Sequence, residues 1–221
     1  FVYQFIHIIQ EINMNINNIQ GNATNIIEFK NEDFIKLRTI YTNQSAFYYL
    51  VIHRETFYIF LMKDLCEPNK PEYEIDFCNK YSNRCFTRFY GFIKQNRMIK
   101  SLIYEFMCNN SLNECKDKFD SLFSLFTINR LYQGIRFLYS KNLIHRDLKP
   151  KNILLDNNFI PYISDFETIR HPDKNEQITN NIGSILYSSP EQDDGDYTSF
   201  PTDIYSFGLI IHFLYKKNHL H

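Results

Sequence analysis

The segment Ile144–Leu155, IHRDLKPKNILL, crowds five ionisable side chains (His145, Arg146, Asp147, Lys149, Lys151) and Asn152 around Pro150. Apolar anchors close it on both sides, Ile144 before and Ile153-Leu154-Leu155 after. A solvated loop can carry such charges, but it is not normally pinned at both ends. The pattern reads as a polar loop held rigidly over a core, with acidic, basic and carboxamide groups in fixed positions. Such loops are where chemistry tends to sit.

A core able to hold that loop is within reach of the composition. The chain has 221 residues, 44% hydrophobic and 22% charged, enough for one large domain or two small ones. A formal net charge of −1 gives no electrostatic case for nucleic acid or for an anionic membrane surface as partner. The most apolar opening run, FVYQFIHII, is too short to span a bilayer and is broken by Gln4 and His7. Cys66, Cys78, Cys85, Cys108 and Cys115 include no C-x-x-C pair. An odd set without metal spacing predicts reduced thiols and a cytoplasmic protein.

The elements around the loop follow from periodicity. Residues 1–33, with the Ile/Asn-rich EINMNINNIQGNATN, show no clean period and read as an extension. IKLRTI, AFYYLVIH and TFYIFLMK are rich in β-branched and aromatic residues and predict an antiparallel meander. Tyr73, Phe77 and Tyr81 recur every four residues, which predicts a helix with one apolar stripe and Glu74 beside it. CFTRFYGFI and IKSLIYEFM predict two further strands. DKFDSLFSLFTINRLYQGIRFLYSK predicts a long amphipathic helix leading into the charged loop, and ILLD and YISDF two short strands after it. PTDIYSFGLIIHFLYK predicts a strongly apolar helix. The expected fold class is α+β in two lobes, a small antiparallel β lobe with one helix and a larger helical lobe, joined near YEFMCNN.

HRDLKPKN resembles the catalytic loop of eukaryotic protein kinases, with Asp147 and Asn152 at the family's Asp-x-x-x-x-Asn spacing. The likeness extends to SDF at Asp165, GSILYSSPE, DIYSFG, FLMK ending at Lys63 and the hinge-like YEFMCNNSL. It implies a bilobal kinase-like fold: extension 1–33, N-lobe and hinge 34–107, and a C-terminally incomplete C-lobe 108–221. Lys149 two residues after Asp147 points to the Ser/Thr type, and YSFG and NNSL lean to the tyrosine-kinase-like group. The implied activity is transfer of the ATP γ-phosphate to protein hydroxyls with Mg²⁺, the partner being a protein substrate.

By the same resemblance, Asp147 would accept or orient the hydroxyl proton, and Lys149 would lie along the γ-phosphate. Asn152 and Asp165 would ligate Mg²⁺ through hard oxygens. Lys63 would contact the α- and β-phosphates, steadied by Glu74 or else Glu72. Glu105 and Met107 would present backbone groups to adenine, Tyr104 would be the gatekeeper, and Leu154 would belong to the ATP pocket. Arg146 would pair with a phosphate on Thr179, with Thr168 as the second acceptor. His145 is expected to pack, and Asp203 to tie its helix to the loop backbone.

Three departures set the rival reading. Tyr41, Asn43 and Ala46 stand at the three glycine positions of the family's phosphate loop, and Tyr48 and Leu61 are bulkier than its usual adenine-sandwiching residues. Glu167 replaces the glycine after Asp-Phe, where it would repel phosphate or add a metal ligand. The chain stops with the DIYSFG helix, so Ile204, Phe207, Ile211 and Leu214 are expected to lose cover and the isolated chain to be poorly soluble. The alternative function is therefore a pseudokinase, a binding or scaffolding module with weak or no ATP binding.

Overall fold

Alternation of apolar side chains builds the first sheet. In a computed structural model of the chain, which describes residues 26–66, 71–115, 120–172, 186–193 and 199–218, six strands form one sheet. They are β1 (Ile27–Phe29), β2 (Phe34–Thr42), β3 (Ala46–His53), β4 (Ile59–Leu65), β5 (Phe89–Gln95) and β6 (Met98–Glu105), in the order β1-β5-β6-β4-β3-β2. Every pairing is antiparallel except β1 with β5. One face gathers Phe34, Val51, Phe60, Met62, Ile93 and Ile103 into a buried cluster, with Phe29, Tyr49, Tyr58 and Tyr90 packed on it. Phe60 meets Phe34 and Tyr90 edge-on at 6.0 and 5.0 Å between ring centroids. Strand alternation then sends Lys63 to the opposite face, in register with Tyr48 on β3 and Leu102 on β6.

Two features lay beyond the periodicity. Ile27–Phe29, within the stretch read as an extension, is hydrogen-bonded to Gly91–Ile93 as a parallel edge strand. Gly91 makes this approach possible, because a Cβ there would sit 2.0 Å from the Ile27 carbonyl oxygen. The β5–β6 hairpin turns on Asn96 and Arg97, both with positive φ (53° and 66°), as a two-residue primed turn requires.

The helix after Pro71, α1 (Glu72–Lys80), buries a different face from the one its aromatic spacing suggested. Phe77 and Glu74 are buried, whereas Tyr73 is 62% exposed. The carboxylate of Glu74 goes inside because it has a buried cation to meet.

The described residues fall into two compact units, one up to Ser82 together with Arg88–Met107, the other Asn83–Thr87 with the residues from Cys108 onward. In the second, α2 (Ser121–Ser140) starts at Asp120, whose Oδ1 accepts the Phe123 N–H at 2.7 Å. It packs against β8 (Pro161–Ile163), which pairs with β7 (Ile153–Leu155), and against α4 (Phe200–Asn218). A short α3 (Pro190–Asp193) precedes α4. Asp203, Ser206, Ile210 and Leu214 form the buried stripe of α4 at helical spacing. Leu214 is thus 1% exposed, contrary to expectation, because it lies on this buried stripe; Ile204, off the stripe, is 50% exposed.

Candidate active site

Each unit assembles its own constellation. In the first, Lys63 Nζ donates to Glu74 Oε2 at 3.0 Å and Oε1 at 3.3 Å, with both side chains 4% exposed. Glu72 is exposed and belongs to the outer side of α1. Tyr104, on the strand beside β4 and diagonal to Lys63, donates its hydroxyl to Glu74 Oε1 at 2.6 Å. A buried carboxylate is tolerable only with such partners. Burial, reinforced by the Glu74 charge, pushes the Cys78 thiol well above its ordinary range, so this neighbour is inert rather than nucleophilic. Glu105 donates its N–H to the Arg88 carbonyl at 2.9 Å, and Met107 is buried.

The β2–β3 turn, at the positions that the resemblance aligns with the phosphate-loop glycines, is closed on itself. Asn43 Oδ1 accepts the N–H groups of Ser45 (2.9 Å) and Ala46 (2.7 Å), while Asn43 N–H donates to the Ala46 carbonyl at 3.1 Å. The side chain does locally what a ligand oxygen could do.

In the second unit the charged loop is framed by main-chain bonds. Ile144 exchanges hydrogen bonds with Arg170, and Asn152 closes a single 3-10 turn begun at Pro150. The buried carboxylate of Asp203 accepts the N–H of His145 at 2.8 Å and of Arg146 at 2.9 Å, so α4 anchors the loop backbone. His145 is fully buried; its Nε2 lies 3.1 Å from the Ser164 carbonyl, which can only accept, so Nε2 carries the proton. Phe166 stacks obliquely on Phe86 at 5.5 Å and fixes the segment holding Asp165.

Asp147, Lys149 and Asn152 come together on this frame. Lys149 Nζ donates to Asp147 Oδ2 at 2.6 Å, and Asn152 Nδ2 donates to the same oxygen at 3.0 Å and to the Asp147 carbonyl at 2.9 Å. Burial raises the Asp147 carboxyl above the usual range; Lys149 opposes this and the Asp165 charge adds to it. With Nδ2 committed to Asp147, Oδ1 is the Asn152 side-chain atom left to act as an acceptor or ligand. That oxygen and the half-buried Asp165 carboxylate are hard oxygens of the kind Mg²⁺ takes, although among the described residues no group of three or more His, Cys, Asp or Glu side chains is placed to hold a metal ion. Asp165 holds φ = 67°, a left-handed conformation that Asp tolerates better than most residues.

Leu154, half-buried, pairs with Tyr162 and bridges Ser111. Arg146 is buried, with φ = 72°, and its carbonyl accepts from Gln192 Nε2 at 2.8 Å. Thr179 lies outside the described residues. Thr168 donates its hydroxyl to the His145 carbonyl at 2.7 Å, so it serves the loop frame. Glu167 is exposed, and its carbonyl accepts from Arg170. Tyr104 was expected only as gatekeeper; its hydroxyl bond to Glu74 is the contact that the sequence did not disclose.

A protein kinase domain matches residues 35–221, and the chain belongs to that family, whose members use ATP and a divalent metal. A probable LIM domain-containing serine/threonine-protein kinase of Dictyostelium discoideum is 35% identical over 130 residues, 57% of this chain and 20% of the relative. A G-type lectin S-receptor-like serine/threonine-protein kinase of Arabidopsis thaliana is 40% identical over 129 residues, 51% of this chain and 15% of the relative. Similarity also reaches the Arabidopsis U-box domain-containing protein 33, 33% identical over 123 residues, 50% of this chain and 15% of the relative. The chain therefore spans a fifth or less of the length of these relatives. No helix among the described residues is long and apolar enough to cross a membrane.

Proposed function

We propose that this domain is a serine/threonine protein kinase that transfers the γ-phosphate of ATP, with Mg²⁺, to hydroxyl groups of protein substrates. The observation that carries the reading is the Asp147 carboxylate held by Lys149 and Asn152 on a loop anchored by Asp203. In the reaction, the acceptor oxygen bonds to the γ-phosphorus, its proton passes to Asp147, and the bond to the β-γ bridging oxygen breaks to release ADP. A raised carboxyl pKa makes Asp147 a better proton acceptor than a solvated aspartate. Lys149 neutralises charge developing on the transferred group, and Lys63, steadied by Glu74, binds the α- and β-phosphates. When bound, the metal supplies further neutralisation of the phosphates; Asn152 and Asp165 would hold it. Adenine would be read by the backbone of Glu105 and Met107, and the resemblance assigns Leu154 to the nucleotide as well. Five free cysteines suit a cytoplasmic compartment. Pairing of Arg146 with a phosphate on Thr179 is the regulatory part of the proposal.

The test is transfer of radiolabelled γ-phosphate to a generic Ser/Thr protein substrate by the full chain. Asp147→Asn should abolish transfer while leaving nucleotide binding intact, and Lys63→Ala should weaken the Mg·ATP-dependent rise in melting temperature. Equal labelling by wild type and Asp147→Asn would remove the enzymatic reading. A nucleotide-weak binding module is the second reading, favoured by the self-closed turn at Asn43.

A further inference from the structure

Two successive backbone N–H groups aimed at one oxygen form a concave donor site of the kind that binds anions. The β2–β3 turn has this arrangement at Ser45 and Ala46, and the oxygen is the chain's own, Asn43 Oδ1, at 2.9 and 2.7 Å. We propose that the Asn43 carboxamide is a built-in occupant of a phosphate-binding turn, and that it sets how strongly the domain holds the phosphates of a nucleotide. The inference rests on the nucleotide-binding reading above and adds a residue that reading does not use.

The reasoning is competitive. Asn43, at one of the three positions where a phosphate loop carries glycine, brings a short side chain whose oxygen returns to the turn. The hairpin itself does not depend on that contact alone: Asn43 N–H still bonds the Ala46 carbonyl at 3.1 Å, and Thr42 pairs with Phe47 and Tyr41 with Tyr48. Ala46 is fully buried and anchors the far side of the turn, while Asn43 and Gln44 are exposed. The donors therefore sit on a fixed base with their present acceptor on the solvent side. A phosphate oxygen is charged and forms stronger bonds with the same N–H groups than a neutral carboxamide does. It must nevertheless displace an acceptor that is covalently tethered and always present, and that displacement lowers apparent affinity.

Isothermal titration of the full chain with Mg·ATP, adenosine and inorganic tripolyphosphate tests this, comparing wild type with Asn43→Gly and Asn43→Asp. Asn43→Gly should bind ATP and tripolyphosphate about tenfold more tightly and adenosine unchanged. Asn43→Asp, which keeps the acceptor and adds like charge, should bind both phosphate ligands more weakly. Asn43→Ala removes only the carboxamide and should repeat the gain if glycine loosens the hairpin. Unchanged affinity for tripolyphosphate in both Asn43→Gly and Asn43→Ala overturns the inference, as does an equal change for ATP and adenosine. If no variant binds ATP while tripolyphosphate still discriminates between them, the nucleotide reading fails and the Asn43 assignment stands.

Discussion

Two lysine–carboxylate pairs, one in each unit, are built to opposite ends. Lys63 and Glu74 come from a strand and a helix, 11 residues apart, and are both 4% exposed at 3.0 Å. Lys149 and Asp147 are two residues apart on one loop, 18% and 10% exposed, at 2.6 Å. The first carboxylate is held from two elements at once, by the ammonium and by the Tyr104 hydroxyl on β6. The second shares its one bonded oxygen between Lys149 and Asn152 and is pushed toward protonation by burial and by Asp165. Regular elements make a pair fixed from two sides; a framed loop makes a pair whose carboxyl is raised above its ordinary range, as the proposed proton acceptor requires. The difference lies in which backbone carries the charges, since the ion types are the same.

Breaking the first pair should give the largest effect. Glu74→Ala removes the carboxylate that the buried Lys63 ammonium bonds at 3.0 Å, which should cost about 3–5 kcal/mol, measured as a lower urea midpoint at unchanged slope. Glu74→Gln should recover part of the loss, because its carboxamide oxygen can still accept from Lys63. A cost for Glu74→Ala no larger than that of a surface change would show that the pair is not a structural anchor. Next in size, Tyr104→Phe deletes one hydrogen bond to a charged acceptor and should cost about 1.5–3 kcal/mol. Combined with Glu74→Gln in a double-mutant cycle, it should cost less than it does alone, since the acceptor is then neutral.

The two pairs also differ in how visible they were in the amino-acid sequence. Asp147, Lys149 and Asn152 bond to one another within five residues, so the local string carries the geometry along with the residue types. Tyr104 and Glu74 are 30 residues apart, and the resemblance that placed Tyr104 as gatekeeper says nothing of its bond to Glu74, which depends on strand pairing. The same limit explains Tyr73: four-residue spacing of aromatics pointed it inward, but burying the Glu74 charge against Lys63 decided which face turned to the sheet. Strands β2 to β6 followed from composition and alternation. Strand β1 did not, because three residues carry no period; the one hint was Gly91 inside a strand pattern, a position where another backbone approaches closely. The turn at Asn43 lacked glycine in plain view, yet the consequence, a side-chain oxygen on two N–H groups, needed coordinates.

The smallest effect is also the one that separates holding from chemistry. Because the folded carboxyl of Asp147 titrates above its unfolded value, its contribution to stability is fully present below the ordinary aspartate range and is lost as pH rises through the raised value. Asp147→Asn cannot ionise, keeps an oxygen for Lys149 and Asn152, and escapes that loss. At about pH 7 the variant should therefore be more stable than wild type, by about 0.5–1 kcal/mol, despite losing the proposed proton acceptor. The gap should close as pH falls through the carboxylate range, about pH 4. Asp156 and Asp203, whose carboxyls burial also raises, titrate in both proteins and cancel from the difference. Thermal melts across that range check the sign. A variant less stable than wild type at neutral pH would mean that the Lys149–Asp147 pair holds structure as the Lys63–Glu74 pair does, and the contrast between the two would be gone.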